Sequence, residues 1–135
     1  MPDLKFSDSH VSDLYCKAPD YPLVAQAAVK EMHRQVGDLT INEQGIAERG
    51  LLVRHLVMPG NSAGTKKLMR FLARDVSKNT YVNIMAQYHP AGETDRFEEI
   101  NRCITQKEYQ EAVNDARAEG ITRLDERKPY FSLRL

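Results

Sequence analysis

Residues 50–65 read GLLVRHLVMPGNSAGT, and the fold turns on how this stretch is interpreted. Positions 51–57 are apolar except for Arg54 and His55, and the run stops at Pro59-Gly60. A short apolar run closed by such a breaker reads as a strand buried on both faces of a parallel sheet. The NSAGT segment then loops into a helix with apolar positions at Leu68, Met69, Leu72 and Val76.

The same unit of apolar run, loop and amphipathic helix recurs on either side. Upstream, the run at 4–6 is followed by a polar stretch with Ser7, Asp8 and Ser9. A helix is expected from an Asp20 cap, with Pro22 in its first turn and Gly37 as its stop. Val24, Ala25, Ala28, Val29, Met32 and Val36 give that helix its core-facing stripe. Between the units, LTINEQGIAERG reads as a small hairpin turning at Glu43, Gln44 and Gly45. Downstream, the run at 81–88 halts at Pro90. A last helix opens on a capping box, Thr105 with Glu108, and carries Tyr109, Ala112, Val113 and Ala116 on one face. This alternation predicts an α/β fold of about three parallel strand–helix units plus the hairpin. A sheet of three parallel strands is small, and nothing precedes its first strand to cover the edge.

Composition removes several function classes. The 135 residues hold 19 basic and 19 acidic side chains, so bulk electrostatic attraction to nucleic acid is not expected. No stretch approaches the ~20 apolar residues of a membrane helix, and MPDLKFSDSH lacks the pattern of a leader peptide. Cys16 and Cys103 form no close pair, so neither a disulfide framework nor a metal site is expected, and a reducing cytoplasm is the default.

Alternation along the strands sorts the polar groups. Asp3 and Lys5 share a face; Arg54 lies between Leu52 and Leu56; Asn83, Met85, Gln87 and His89 align. Burying such groups unpaired costs several kcal/mol each. Lys5, His89 and the loop after Val57 lie towards the C-terminal ends of parallel strands, and together they suit a pocket for an anionic or zwitterionic ligand. Plainer readings stand beside this one. Asp3 and Lys5 can be a neighbouring charge pair, Arg54 can tie elements together through a carboxylate, and His55 reads as a structural hydrogen-bonding residue. His10 and His33 read as surface residues. Pro59, Gly60, Asn61 and Gly64 could hold an anion at a helix start, although the spacing is no phosphate-binding loop.

The run GLLVRHLVMPGNSAGTKKLMRFLA, with YVNIMAQYHP, EINRCIT and the opening PDLKF, resembles the C-terminal half of radical S-adenosylmethionine proteins. The group it is most similar to is that of the pyruvate formate-lyase activating enzyme. The resemblance covers 1–121 and leaves 122–135 as a tail. It implies a partial (β/α) barrel, about half of the family's barrel, with S-adenosylmethionine and a [4Fe–4S] cluster as cofactors of the full-length protein. By the same resemblance, Asp3, Lys5, Arg54 and His89 bind S-adenosylmethionine, with Asn83 and Gln87 as weaker candidates. The family reductively cleaves this cofactor to a 5′-deoxyadenosyl radical that abstracts hydrogen from a protein or peptide.

The family's C-x-x-x-C-x-x-C motif does not occur here, nor does its glycine-rich motif. Cluster iron needs clustered thiolates, so the chain alone is expected to be inactive and to supply no catalytic residue. Its expected partner is the missing N-terminal half-barrel or a second copy of itself, with neither nucleic acid nor membrane involved. The alternative is a binding or interaction module that self-associates and has no catalytic role.

Overall fold

Asp8 starts the first element, because its Oδ1 accepts from the amides of His10 (2.9 Å) and Val11 (3.1 Å). That cap launches helix α1, Ser9–Cys16, where the sequence suggested only a polar stretch. The structure, a computed structural model, describes residues 1–125. Most of the tail expected at 122–135 lies outside the described residues.

Helix α2, Tyr21–Val36, carries Pro22 in its first turn and ends at Gly37, whose φ of 72° lies in the left-handed region. Asp20 precedes it but makes no side-chain cap bond. The hairpin follows as β1, Thr40–Ile41, and β2, Ala47–Arg49, paired antiparallel. Asn42 shapes its turn, since Oδ1 accepts from the amides of Gln44 (3.1 Å) and Ile46 (2.9 Å). Next come β3, Leu52–Leu56, a short 3-10 turn, and α3, Thr65–Phe71, which widens into a π-type turn at Leu72–Val76. Strand β4, Tyr81–Met85, ends earlier than the apolar run suggested. Helix α4, Gln106–Ala118, has the complete Thr105–Glu108 capping box.

The parallel pairing extends over two strands, not three. Strands β3 and β4 pair in register from Leu52 with Tyr81 to Leu56 with Met85. Residues 4–6 form no third strand: among the described residues the only ladder pairing between the N-terminal segment and β3 is one isolated bridge, Asp3 with Arg54. In that bridge Leu4 N donates to Arg54 O (2.8 Å) and Arg54 N to Pro2 O (2.9 Å). The next rung of a parallel ladder would run from the Leu56 amide to the Leu4 carbonyl. That carbonyl is bonded instead to His55 Nδ1 at 2.8 Å, and the chain departs, with Ser7 N donating to Ala63 O. The expected half-barrel of three parallel units is therefore replaced by a two-stranded parallel sheet and a separate two-stranded hairpin. Beyond β4, a single bridge from Val82 to Leu124 brings the chain back after Gly120 and the fully buried Ile121.

Burial also corrects the expectation that β3 is covered on both faces. Its pattern alternates, with Val53 and His55 fully buried and Leu52, Arg54 and Leu56 only partly covered. The closed face packs Leu4, Phe6, Val53, Val57, Val82 and Ile84 into one core cluster with Leu68, Met69 and Leu72, and with Ala112 and Ala116 of α4. The opposite face is half open. Helix α2 differs from its reading too. Val29 is buried, but Val24 (57% exposed), Met32 (40%) and Val36 (38%) face outward. Among the described residues no helix is long and apolar enough to cross a membrane.

Candidate functional site

The half-open face of the parallel pair gathers the polar residues into a row. Asp3 sits beside Arg54 through the isolated bridge, and Arg54 sits beside Asn83 through the β3–β4 register. Residues directly across a parallel ladder share a face. The side chains are therefore neighbours because of backbone pairing.

Asp3 is the centre of the row. Its Oδ1 accepts from Arg54 Nε at 2.6 Å, and its Oδ2 lies 3.4 Å from Lys5 Nζ. Partial burial raises the Asp3 pKa, but the hydrogen bond and charge of Arg54, reinforced by Lys5, outweigh it and hold the carboxyl below its ordinary value. Side-chain exposures of 28% for Asp3, 36% for Arg54 and 42% for Lys5 leave all three able to meet a ligand. One carboxylate between two cations leaves an excess of positive charge.

Tyr21, at the start of α2, completes this arrangement and was missed by the sequence reading. Its hydroxyl accepts from Lys5 N at 3.0 Å and donates to Asp3 O at 3.3 Å. Burial pushes the Tyr21 hydroxyl pKa up, with the neighbouring Asp3 charge adding to it and the Lys5 amide opposing it. Its ring stands edge-on to Phe6, with centroids 6.0 Å apart. An aromatic residue opening an amphipathic helix reads simply as core, so no local signal distinguished it.

The other expected site residues lie apart from this centre. Gln87 is exposed, with Nε2 3.6 Å from Met85 Sδ on the same strand face. His89 lies beyond β4, and Cys103 Sγ approaches its Nδ1 at 3.4 Å. Among the described residues no contact joins His89 to Asp3, Lys5 or Arg54. The Pro59–Asn61 turn is not an anion cradle either. Gly60 N donates to Glu108 Oε1 (2.7 Å) and Thr65 N to Asn61 Oδ1 (3.2 Å), so side chains already occupy those amides.

His55, next to Arg54, has a purely structural environment. Nδ1 bonds Leu4 O at 2.8 Å and Nε2 bonds Thr65 Oγ1 at 2.9 Å, both buried. Complete burial lowers its pKa to about 4 against the weaker opposing effect of the Leu4 carbonyl. The ring is neutral at pH 7.

The donor set suits a zwitterionic ligand in kind. Lys5 and Arg54 suit a carboxylate, while Asp3 and Asn83 suit ribose hydroxyls or an ammonium group. It does not fit an iron–sulfur cluster. The sequence holds two cysteines, both exposed free thiols, and no group of three potential metal ligands occurs among the described residues.

No family model matches the chain, and no solved structure matches it. The chain is similar to an uncharacterized protein of Methanocaldococcus jannaschii, with 33% identity over 69 residues. That alignment takes in 50% of this chain and 20% of the archaeal protein, so the chain spans about a fifth of the length of the curated relative it matches.

Proposed function

We propose that the chain is the C-terminal part of a radical S-adenosylmethionine protein of the glycyl-radical-enzyme activase type. Its half-open sheet face supplies one wall of the cofactor pocket. The Asp3–Arg54–Asn83 row, flanked by Lys5, is the observation that carries this reading. Those residues lie on a face that a parallel sheet ordinarily covers. Asp3, Lys5, Arg54 and Asn83 bind the cofactor; Gln87 and His89, which lie outside the row, are peripheral to it. The cluster that cleaves the cofactor reductively belongs to a different segment, because this chain lacks the thiolates. The substrate class is a protein or peptide, and the compartment is a reducing cytoplasm.

Calorimetric titration with S-adenosylmethionine tests the reading. Measurable heat is expected for the native chain and none for Lys5→Ala or Asp3→Asn, with circular dichroism showing both variants folded. Absence of heat with the native chain, or unchanged affinity in both variants, overturns it. Reconstitution with iron and sulfide is expected to yield no cluster absorption, and a stoichiometric cluster would overturn the assignment of the iron to another segment.

A second reading, a non-catalytic module that pairs with its own copy, rests on a different observation. Val24, Met32 and Val36 lie outward along α2, and Ile41 (40% exposed) and Ile46 (61%) are outward on the neighbouring hairpin. Light scattering separates the two. A dimer that Met32→Lys converts to monomer, without cofactor binding, favours the module.

A further inference from the structure

We propose that Cys103 and His89 form a reactive thiol–imidazole pair, a site for covalent thiolation by small disulfides. The proposal does not depend on cofactor binding elsewhere in the chain. Sγ of Cys103 lies 3.4 Å from Nδ1 of His89, and both residues are exposed. With the ring protonated at Nε2, Nδ1 accepts the thiol proton, which puts a nucleophile and its base in direct contact at the surface.

The surrounding structure holds the two together. His89 precedes Pro90, which restricts its backbone to extended conformations. The residue before it, Tyr88, is buried and donates its hydroxyl to Ile100 O at 2.9 Å. That bond ties the end of the β4 segment to the loop bearing Cys103. On either side of Cys103, Ile100 and Ile104 are buried in the core at 2% and 7% exposure. The thiol therefore projects from a loop anchored at both ends towards a ring anchored by its own neighbour. Arg102, beside it, is neutralised by a two-pronged pairing with Glu108, so its charge is already matched.

The reaction balances without any further reagent. His89 takes the proton from Cys103, the thiolate attacks one sulfur of the incoming disulfide, and that S–S bond breaks. A new S–S bond joins Cys103 to the attacked sulfur, and the other sulfur leaves as a thiolate. Cys103 is oxidised, and the departing half of the reagent is reduced. The site is open to solvent, and the charge of Arg102 beside it is paired with Glu108.

Cys16 provides an internal standard, being the other exposed free thiol and having no histidine partner among the described residues. The probe is an aromatic disulfide, dithiobis-nitrobenzoate, whose leaving thiolate is coloured. Single Cys16→Ser and Cys103→Ser variants assign the kinetic phases. In the folded protein Cys103 is expected to react at least about tenfold faster than Cys16, a modest share of what a positioned base contributes. His89→Gln is expected to bring the two rates within about twofold, leave the Cys16 rate unchanged and preserve the circular dichroism spectrum. In urea the native chain's two thiols are expected to react alike, because the contact is tertiary. Equal rates in the folded native chain, an unaltered ratio in His89→Gln, or a fast Cys103 that persists in urea overturns the proposal.

Discussion

Arg54 and His55 are adjacent on one strand, and the difference between them separates the two faces of the molecule. His55 points into the core, is wholly buried and gives both ring nitrogens to fixed partners, Leu4 O and Thr65 Oγ1. Arg54 points to the half-open face, retains 36% exposure and bonds a carboxylate that is itself partly exposed. Both hold the N-terminal segment, one through a neutral buried network and the other through charge. Burial decides which residue matters to stability. Exposure decides which remains free to meet a ligand.

Removing His55 should have the largest effect. His55→Leu leaves the Leu4 carbonyl and the Thr65 hydroxyl buried without this partner, and a loss of about 3–4 kcal/mol is expected in urea unfolding. A loss under about 1 kcal/mol would mean that the network contributes little and the contrast with Arg54 fails.

Next in size is a pH effect from the same ring. Its pKa moves from 6.5 in the unfolded reference to about 4 in the folded chain. Above pH 6.5 the ring is neutral in both states, and its contribution is fully present. As pH falls below 6.5 the unfolded chain takes up a proton that the native one refuses. Stability therefore declines until about pH 4 and then levels, by at most about 3 kcal/mol. Urea midpoints at about pH 8 and about pH 4.5 measure this loss, and His55→Gln should lack it. Asp3, whose folded pKa is lowered, instead loses its contribution below the ordinary carboxylate range.

The smallest stability effect belongs to the open face. Asp3→Asn is expected to cost about 1 kcal/mol or less, because its partners are substantially exposed. Thermal unfolding checks it. A cost comparable to that of His55→Leu would make the Asp3–Arg54 pair a structural pin and remove the distinction between the two faces.

Short-range features were legible in the sequence. Thr105 and Glu108 announced a capping box because both halves of the bond lie within four residues, and the hairpin followed from its polar turn. Alternation also separated Arg54 from His55 correctly. Helix α1 was missed although its Asp8 cap is local, and Asp20 makes no cap bond; the larger failures are tertiary. Residues 4–6 have the composition of a strand, but the carbonyl needed to extend the ladder is taken by His55, 51 residues away. The apolar residues of α2 have helical spacing, yet which of them are covered depends on neighbours that spacing does not specify. Asp3, Lys5 and Arg54 could be named as candidates, but Tyr21 became visible only once α2 was placed against them.

That Tyr21 contact has a wider consequence. Asp3 O and Lys5 N point away from β3, where another strand would offer an amide and a carbonyl. One phenolic oxygen, able to donate and accept at once, satisfies both. A side chain thus stands in for a missing strand and denies an extended foreign peptide its first pair of hydrogen bonds.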